Sequence, residues 1–186
     1  MKKTFVVFMT LLSALFLSAC SSSEASLSPT TTLRIPVVMP PSIPNITVGE
    51  TLTIPDIGEF TVESIKFVTK VSPSKPDGFY LYYQTQNNDQ IALDIKVKYK
   101  NLQSDSISTA YFASLQIQYD NKYNYDAMRY SEELDGSTLN IWAEFEPLTN
   151  YTVHFITELP KEASNDSKSI IATFTIDNKS YLFKIR

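Results

Sequence analysis

The sequence predicts an all-β protein: an antiparallel, immunoglobulin-like β-sandwich of about eight strands behind an N-terminal tether. Three observations carry this reading. Apolar residues recur at every second position over most of the chain beyond Val48, turn motifs rich in Asp, Asn, Gly and Pro separate the runs, and helical spacing is nearly absent. Strict alternation means that one face of each strand meets a core while the other meets water.

The first segment, residues 1–19, has the layout of a lipoprotein signal peptide. Lys2 and Lys3 give a positive start, and Phe5 to Leu17 is apolar apart from Thr10 and Ser13. That run is shorter than the about 20 residues needed to span a bilayer. It ends in Leu17-Ser18-Ala19-Cys20, a small-residue cleavage site closed by cysteine, the pattern of a bacterial lipobox. Cys20 is the only cysteine of the chain, so it has no internal disulfide partner. The expectation is that Cys20 becomes the lipidated first residue of the mature protein. Two or more acyl chains, each binding through about 0.8 kcal/mol per buried methylene, make a firm anchor. The protein is then expected on the extracytoplasmic face of the cell membrane. Scarce Arg beside plentiful Asn, Ile and Tyr points to an AT-rich genome and a Gram-positive source.

Residues 20–46 carry the anchor and a Ser/Thr/Pro-rich linker with too few apolar side chains to bury. A flexible chain of that length spans about 25–30 Å, and its prolines extend it further.

Residues 47–186 form the expected sandwich domain. Thr51 to Ile54 and Phe60 to Val68 give two strands around Pro55-Asp56-Ile57-Gly58, with a phase slip between Val62 and Ile65 that marks a bulge. Ile91, Leu93, Ile95, Val97 and Tyr99 then form a core face against Ala92, Asp94, Lys96, Lys98 and Lys100 on the solvent face. Leu115, Ile117 and Tyr119 make the next run, and Tyr125 to Leu134 has room for one helical turn. Leu139, Ile141, Ala143 and Phe145 read as one strand; Tyr151, Val153 and Phe155 as another; Ile170 to Ile176 and Tyr181 to Ile185 as the last two. Asp120-Asn121-Lys122 and Asp177-Asn178-Lys179 are hairpin turns, and Asp135-Gly136 is a further turn. Tyr99, Tyr119, Trp142, Tyr151 and Phe155 are expected to fill the core of a sandwich that has no disulfide.

The order of several short pieces carries a resemblance. Val48-Gly49-Glu50 and Phe60-Thr61-Val62-Glu63-Ser64-Ile65 come first, then Gly78-Phe79-Tyr80-Leu81-Tyr82-Tyr83 and Leu93-Asp94-Ile95-Lys96-Val97-Lys98-Tyr99-Lys100-Asn101. Pro147-Leu148-Thr149, Val153-His154-Phe155 and Glu158-Leu159-Pro160 follow. Together they resemble the telokin-like, immunoglobulin-fold extracytoplasmic lipoproteins of Gram-positive bacteria, a domain-of-unknown-function family. The resemblance implies a two-sheet sandwich displayed outside the cell on a lipid anchor, and it brings no catalytic residues. This chain departs from the family where such domains often have Pro-Gly, since Leu148 follows Pro147.

The search for chemistry narrows the function classes. Net charge is −4, and loss of Lys2 and Lys3 makes the domain more acidic, so nucleic acid is not an expected partner. His154, the only histidine, is out of phase with Val153 and Phe155 and is expected on the solvent face. One histidine and a lipidated cysteine supply no His/Cys zinc set, and four scattered glycines supply no phosphate loop, so no metal and no cofactor are expected. Paired carboxylates for an envelope hydrolase could come from Glu132, Glu133, Glu144 and Glu146, at separations of about 5–9 Å. Exposed tyrosines make good interface material, and Tyr80, Tyr82, Tyr83, Tyr123 and Tyr125 are the candidate binding patch.

The expected function is therefore a non-catalytic interaction module, anchored to the membrane through the lipid on Cys20 and presenting itself to an extracellular protein or glycan. The alternatives are an accessory subunit of a membrane or secretion complex and, behind it, the carboxylate hydrolase.

Overall fold

The computed structural model describes residues 45–186. The leader, Cys20 and most of the linker lie outside the described residues. Asn45 and Ile46 already belong to the fold: Asn45 bridges Leu182, and the Ile46 N–H donates to the Leu182 carbonyl at 2.9 Å.

The chain then runs through β1 (Thr51–Ile54), β2 (Gly58–Val68), β3 (Lys70–Val71), β4 (Tyr83–Gln84) and β5 (Gln90–Asn101). Next come β6 (Ile107–Ser108), β7 (Ser114–Tyr119), β8 (Tyr123–Asp126), β9 (Met128–Glu132), β10 (Leu139–Asn140) and β11 (Glu144–Phe145). The strands β12 (Asn150–Pro160), β13 (Ile170–Ile176) and β14 (Lys179–Lys184) close the fold. A 3-10 turn, Lys161–Ser164, is the helical segment among the described residues.

Two antiparallel sheets make the sandwich. The larger has the order β1-β2-β5-β12-β9-β10, and the smaller β14-β13-β7-β8. Two short ribbons, β3-β4 and β6-β11, complete the pairing. The hairpins are where turn chemistry placed them. Asp120 and Asn121 (φ 55° and 54°) and Asp177 and Asn178 (φ 48° and 57°) adopt the left-handed conformations of type I′ turns, which Asp and Asn tolerate. The phase slip in β2 is a bulge between Val62 and Ser64.

The core lies between the sheets. Leu93, Ile95 and Val97 of β5 and Val153 of β12 join Ile117 of β7 and Ala172 of β13 in one buried cluster. Aromatic bulk ties the layers: the Phe155 and Phe174 rings meet edge-on at 5.4 Å, and Phe112 meets Phe145 edge-on at 4.9 Å. Such pairs contribute about 0.5–1.5 kcal/mol beyond their buried area.

Several expectations are corrected. Residues 125–134 form no helical turn; they are β8 and β9, joined at Ala127, where the chain steps from the smaller sheet to the larger. The run from Leu139 to Phe145 is not one strand. It is β10 in the larger sheet and β11 in a separate ribbon, with a bend at Ile141 and Trp142. Trp142 is therefore 77% exposed rather than in the core. The solvent face predicted for β5 is also partly covered: Ala92 and Asp94 are buried. A second, smaller apolar cluster of Val71, Tyr83, Ala92 and Ile156 sits there, on the face of the larger sheet turned away from the core.

Candidate functional site

The cover over that outer face is the segment from Thr69 to Gln84, which leaves β2 and returns before β5. Val71 and Tyr83 pack down from it onto Ala92 and Ile156. Its loop is tied to the turn after β9: the Lys75 N–H donates to the Gly136 carbonyl at 2.9 Å, and the Leu81 N–H to the Thr138 hydroxyl at 2.8 Å. Gly136 has φ 77°, and a β-carbon there would stand 2.5 Å from Ser74 Oγ. That close approach is what glycine permits.

Under this cover lies His154. It is buried, 4% exposed, not on a solvated face as its phase suggested. Register explains its partners. His154 is opposite Lys96 of β5 and Tyr130 of β9, so Asp94 and Glu132 are its diagonal neighbours on either side. Nδ1 meets Asp94 at 2.9 Å and Nε2 meets Glu132 at 3.0 Å. The Ser74 N–H and hydroxyl both donate to the second oxygen of Glu132. A neutral imidazole could donate to only one carboxylate, so both ring nitrogens carry protons and His154 is an imidazolium. Burial opposes that charge, but the hydrogen bonds and charges of Asp94 and Glu132 outweigh it and raise the His154 pKa to about 9. Burial likewise opposes ionisation of Glu132, yet the bonds from His154 and Ser74 lower its pKa to about 2. With both nitrogens bonded to carboxylates, His154 has no lone pair to offer a Ser or Thr nucleophile in this arrangement. The network latches the cover to the sheet.

The remaining carboxylates of the hydrolase reading are dispersed. Glu132 and Glu133 line a polar depression of about 110 Å³ with Asp135 and Lys75, whereas Glu144 and Glu146 are exposed elsewhere, around β11. Glu146 accepts from Ser106 and Glu133 from Asn140.

The candidate tyrosines are not brought together. Tyr82 is exposed and Tyr80 half-buried on the cover, with the Lys70 ammonium 4.0 Å from the Tyr82 ring centre. Tyr83 is buried; its hydroxyl donates to Glu158, and burial followed by that bond pushes its pKa up. Tyr123 is exposed and Tyr125 half-buried on β8, in the other sheet.

A groove at the edge of the sandwich was not foreseen. Met128, Arg129 and Tyr130 of β9 line it with Ile141, Trp142, Thr109, Ala110 and Ala127, enclosing about 380 Å³. It exists because β10 covers only part of β9. Asn140 pairs with Ser131, and continuing in register would bring Trp142 opposite Arg129. Instead the Asn140 side chain accepts the Trp142 N–H at 2.8 Å, and the Ala143 carbonyl is taken by the Thr109 N–H and hydroxyl. The strand peels away and leaves the groove. It lies at the β9–β10 and β8 edges, across both sheets from β1 and β14, where the chain enters the domain at Asn45.

Comparison with known proteins follows the fold closely and the function not at all. No protein-family profile matches the chain. Over 183 residues the chain is 27% identical to the uncharacterized lipoprotein YcdA of Bacillus subtilis strain 168, covering 96% of this chain and 44% of that protein. The chain thus spans less than half the length of that relative. Among solved structures, an uncharacterized β-sandwich protein from Clostridium difficile 630 superposes with a TM-score of 0.71 at 24% identity, over 77% of this chain and 95% of its own. A conserved hypothetical protein from Bacillus anthracis superposes with a TM-score of 0.50 at 15% identity, over 76% of this chain and 95% of its own. These likenesses establish a β-sandwich.

Proposed function

We propose that this chain is a lipid-anchored extracytoplasmic protein, held through Cys20, whose telokin-like immunoglobulin sandwich is a non-catalytic interaction module. The lipobox at Leu17 to Cys20 and the similarity to a protein named a lipoprotein support the anchor. The observation that carries the interaction reading is the groove beside Trp142. A bulky aromatic left 77% exposed, with Met128 and Ile141 partly exposed beside it, is the composition of a binding surface.

Two measurements test this. Metabolic labelling with a fatty acid should mark the wild-type protein, and Cys20→Ala should release it from the membrane fraction; unlabelled protein in wild-type cells would remove the anchor. Crosslinking on intact cells from a photoreactive residue at Met128, on the rim of the groove, should trap one partner that the same residue at Glu50 does not. Equal, diffuse labelling from both positions would end the interaction reading. A stable membrane-protein complex trapped at both positions would replace it with the accessory-subunit reading.

A further inference from the structure

The groove is more than an apolar depression, because its floor is an open sheet edge. In β9 and β10 the Glu133 N–H donates to the Thr138 carbonyl, so residue 133 points its backbone toward β10. Backbone direction alternates along a strand, so Ser131 and Arg129 point the same way. Ser131 finds Asn140 there. Arg129 finds no strand among the described residues, because β10 has turned aside. By the same alternation its N–H and C=O point outward at this edge, where Trp142, Ile141, Thr109 and Ala110 also line the groove.

The charge in the groove is a single cation. The chain has a net charge of −4, yet Arg129 is the only charged residue lining this groove. Its guanidinium donates to the Ala113 carbonyl at 2.6 Å and takes part in none of the ion pairs among the described residues. Arg186, by contrast, is held by Asp166 at 2.8 Å. Arg129 also borders the adjoining depression, where the nearby Asp126 is engaged by Gln116 at 3.1 Å.

We infer that the groove takes an extended acidic peptide segment that adds to the open edge of β9, its backbone pairing with Arg129, a carboxylate on the Arg129 guanidinium and an apolar side chain against Trp142. Strand addition draws affinity from main-chain hydrogen bonds and specificity from pockets for alternate side chains. This inference rests on the interaction reading above and names its partner's chemistry.

The test uses the full chain in detergent micelles and capped heptapeptides of alternating valine and threonine with one central aspartate. Titration should show saturable binding, at least tenfold tighter than for the same peptide with a central lysine. N-methylation of the alternate amides in one frame should abolish binding, and methylation in the other frame should leave it. Trp142→Ala should weaken binding at least tenfold, and Arg129→Gln should erase the preference for aspartate. Binding that ignores both N-methylation frames, or no binding at all, overturns the inference. Should a β-linked N-acetylglucosamine oligomer bind instead, in a manner dependent on Trp142, the groove takes a glycan. Should the protein dimerise instead, and Trp142→Ala undo the dimer, a second copy fills the edge. In either case the peptide inference falls and the interaction reading stands; if peptide, glycan, dimer and the cell-surface crosslink at Met128 all fail, both fall.

Discussion

His154 joins two strands and a loop through charged hydrogen bonds, which ties the latch to pH. The imidazole has a folded pKa of about 9 against an ordinary 6.5, so its contribution is complete below about pH 6.5 and lost as pH rises through 9. Glu132 is at about 2 against 4.5, so its contribution is complete above about pH 4.5 and lost as pH falls through 2. The two overlap between about pH 4.5 and 6.5, and the melting temperature should peak there. In His154→Gln the decline on the alkaline side should vanish. A variant whose alkaline limb matches the wild type would disprove the latch. Glu132→Gln leaves Asp94 as the counter-ion of His154 and should cost about 1.5–3 kcal/mol, the range for losing hydrogen bonds to a charged group. A second residue tests the opposite sign. The Thr157 hydroxyl is buried in the core without a hydrogen-bond partner, so Thr157→Val should stabilise the protein by about 1 kcal/mol in urea titrations. The position of His154 on a strand was legible, but not its burial. The missed signals were Ala92 within a charged set and Ile156 within an alternating run, each an apolar residue on the face assigned to water.

At the scale of elements, turns decide where strands end. The link between β11 and β12 shows it: Thr149 N–H bonds back to the Glu146 carbonyl, with Pro147 and Leu148 between them. This is the layout of a type II turn, whose third residue needs positive φ. Leu148 has φ 58° and is exposed, where the family resemblance leads one to expect glycine. Leu148→Gly should therefore stabilise the domain by about 0.5–1 kcal/mol, net of the extra entropy of an unfolded glycine. A drop in melting temperature would show that Leu148 contributes a contact that outweighs its strain. The bend after β10 obeys the same logic with the opposite consequence. There a single Asn140 side chain satisfies the Trp142 N–H and removes it from the ladder, turning an expected strand into a groove wall. Periodicity could not reveal this, since Leu139, Ile141, Ala143 and Phe145 keep the alternation on both sides of the break.

Across the molecule, the domain is sealed at the edge where the chain enters. Ile46 packs against the main core, and its N–H pairs with β14. A chain that starts at Asn45 should unfold in one cooperative transition, and one that starts at Gly49 should be less stable by about 1–2 kcal/mol for the lost apolar burial. Equal midpoints in denaturant for the two chains would show that Ile46 adds nothing. At the far edge the sandwich is left open by β10, so one end carries the chain in and the other offers a surface.

Much of the sandwich could be read from the sequence because its signals are local. Alternation in β5, β7, β12 and β13 reports one buried face, and Asp-Asn pairs report positive φ whatever surrounds them. The cover, the latch and the groove depend on contacts between residues distant in sequence, such as His154 with Asp94 and Ser74 with Glu132. Such pairs are set by sheet order and register, and period-two alternation is blind to both: it says that a side chain points away from the core, but only the tertiary structure decides whether water or another segment waits there.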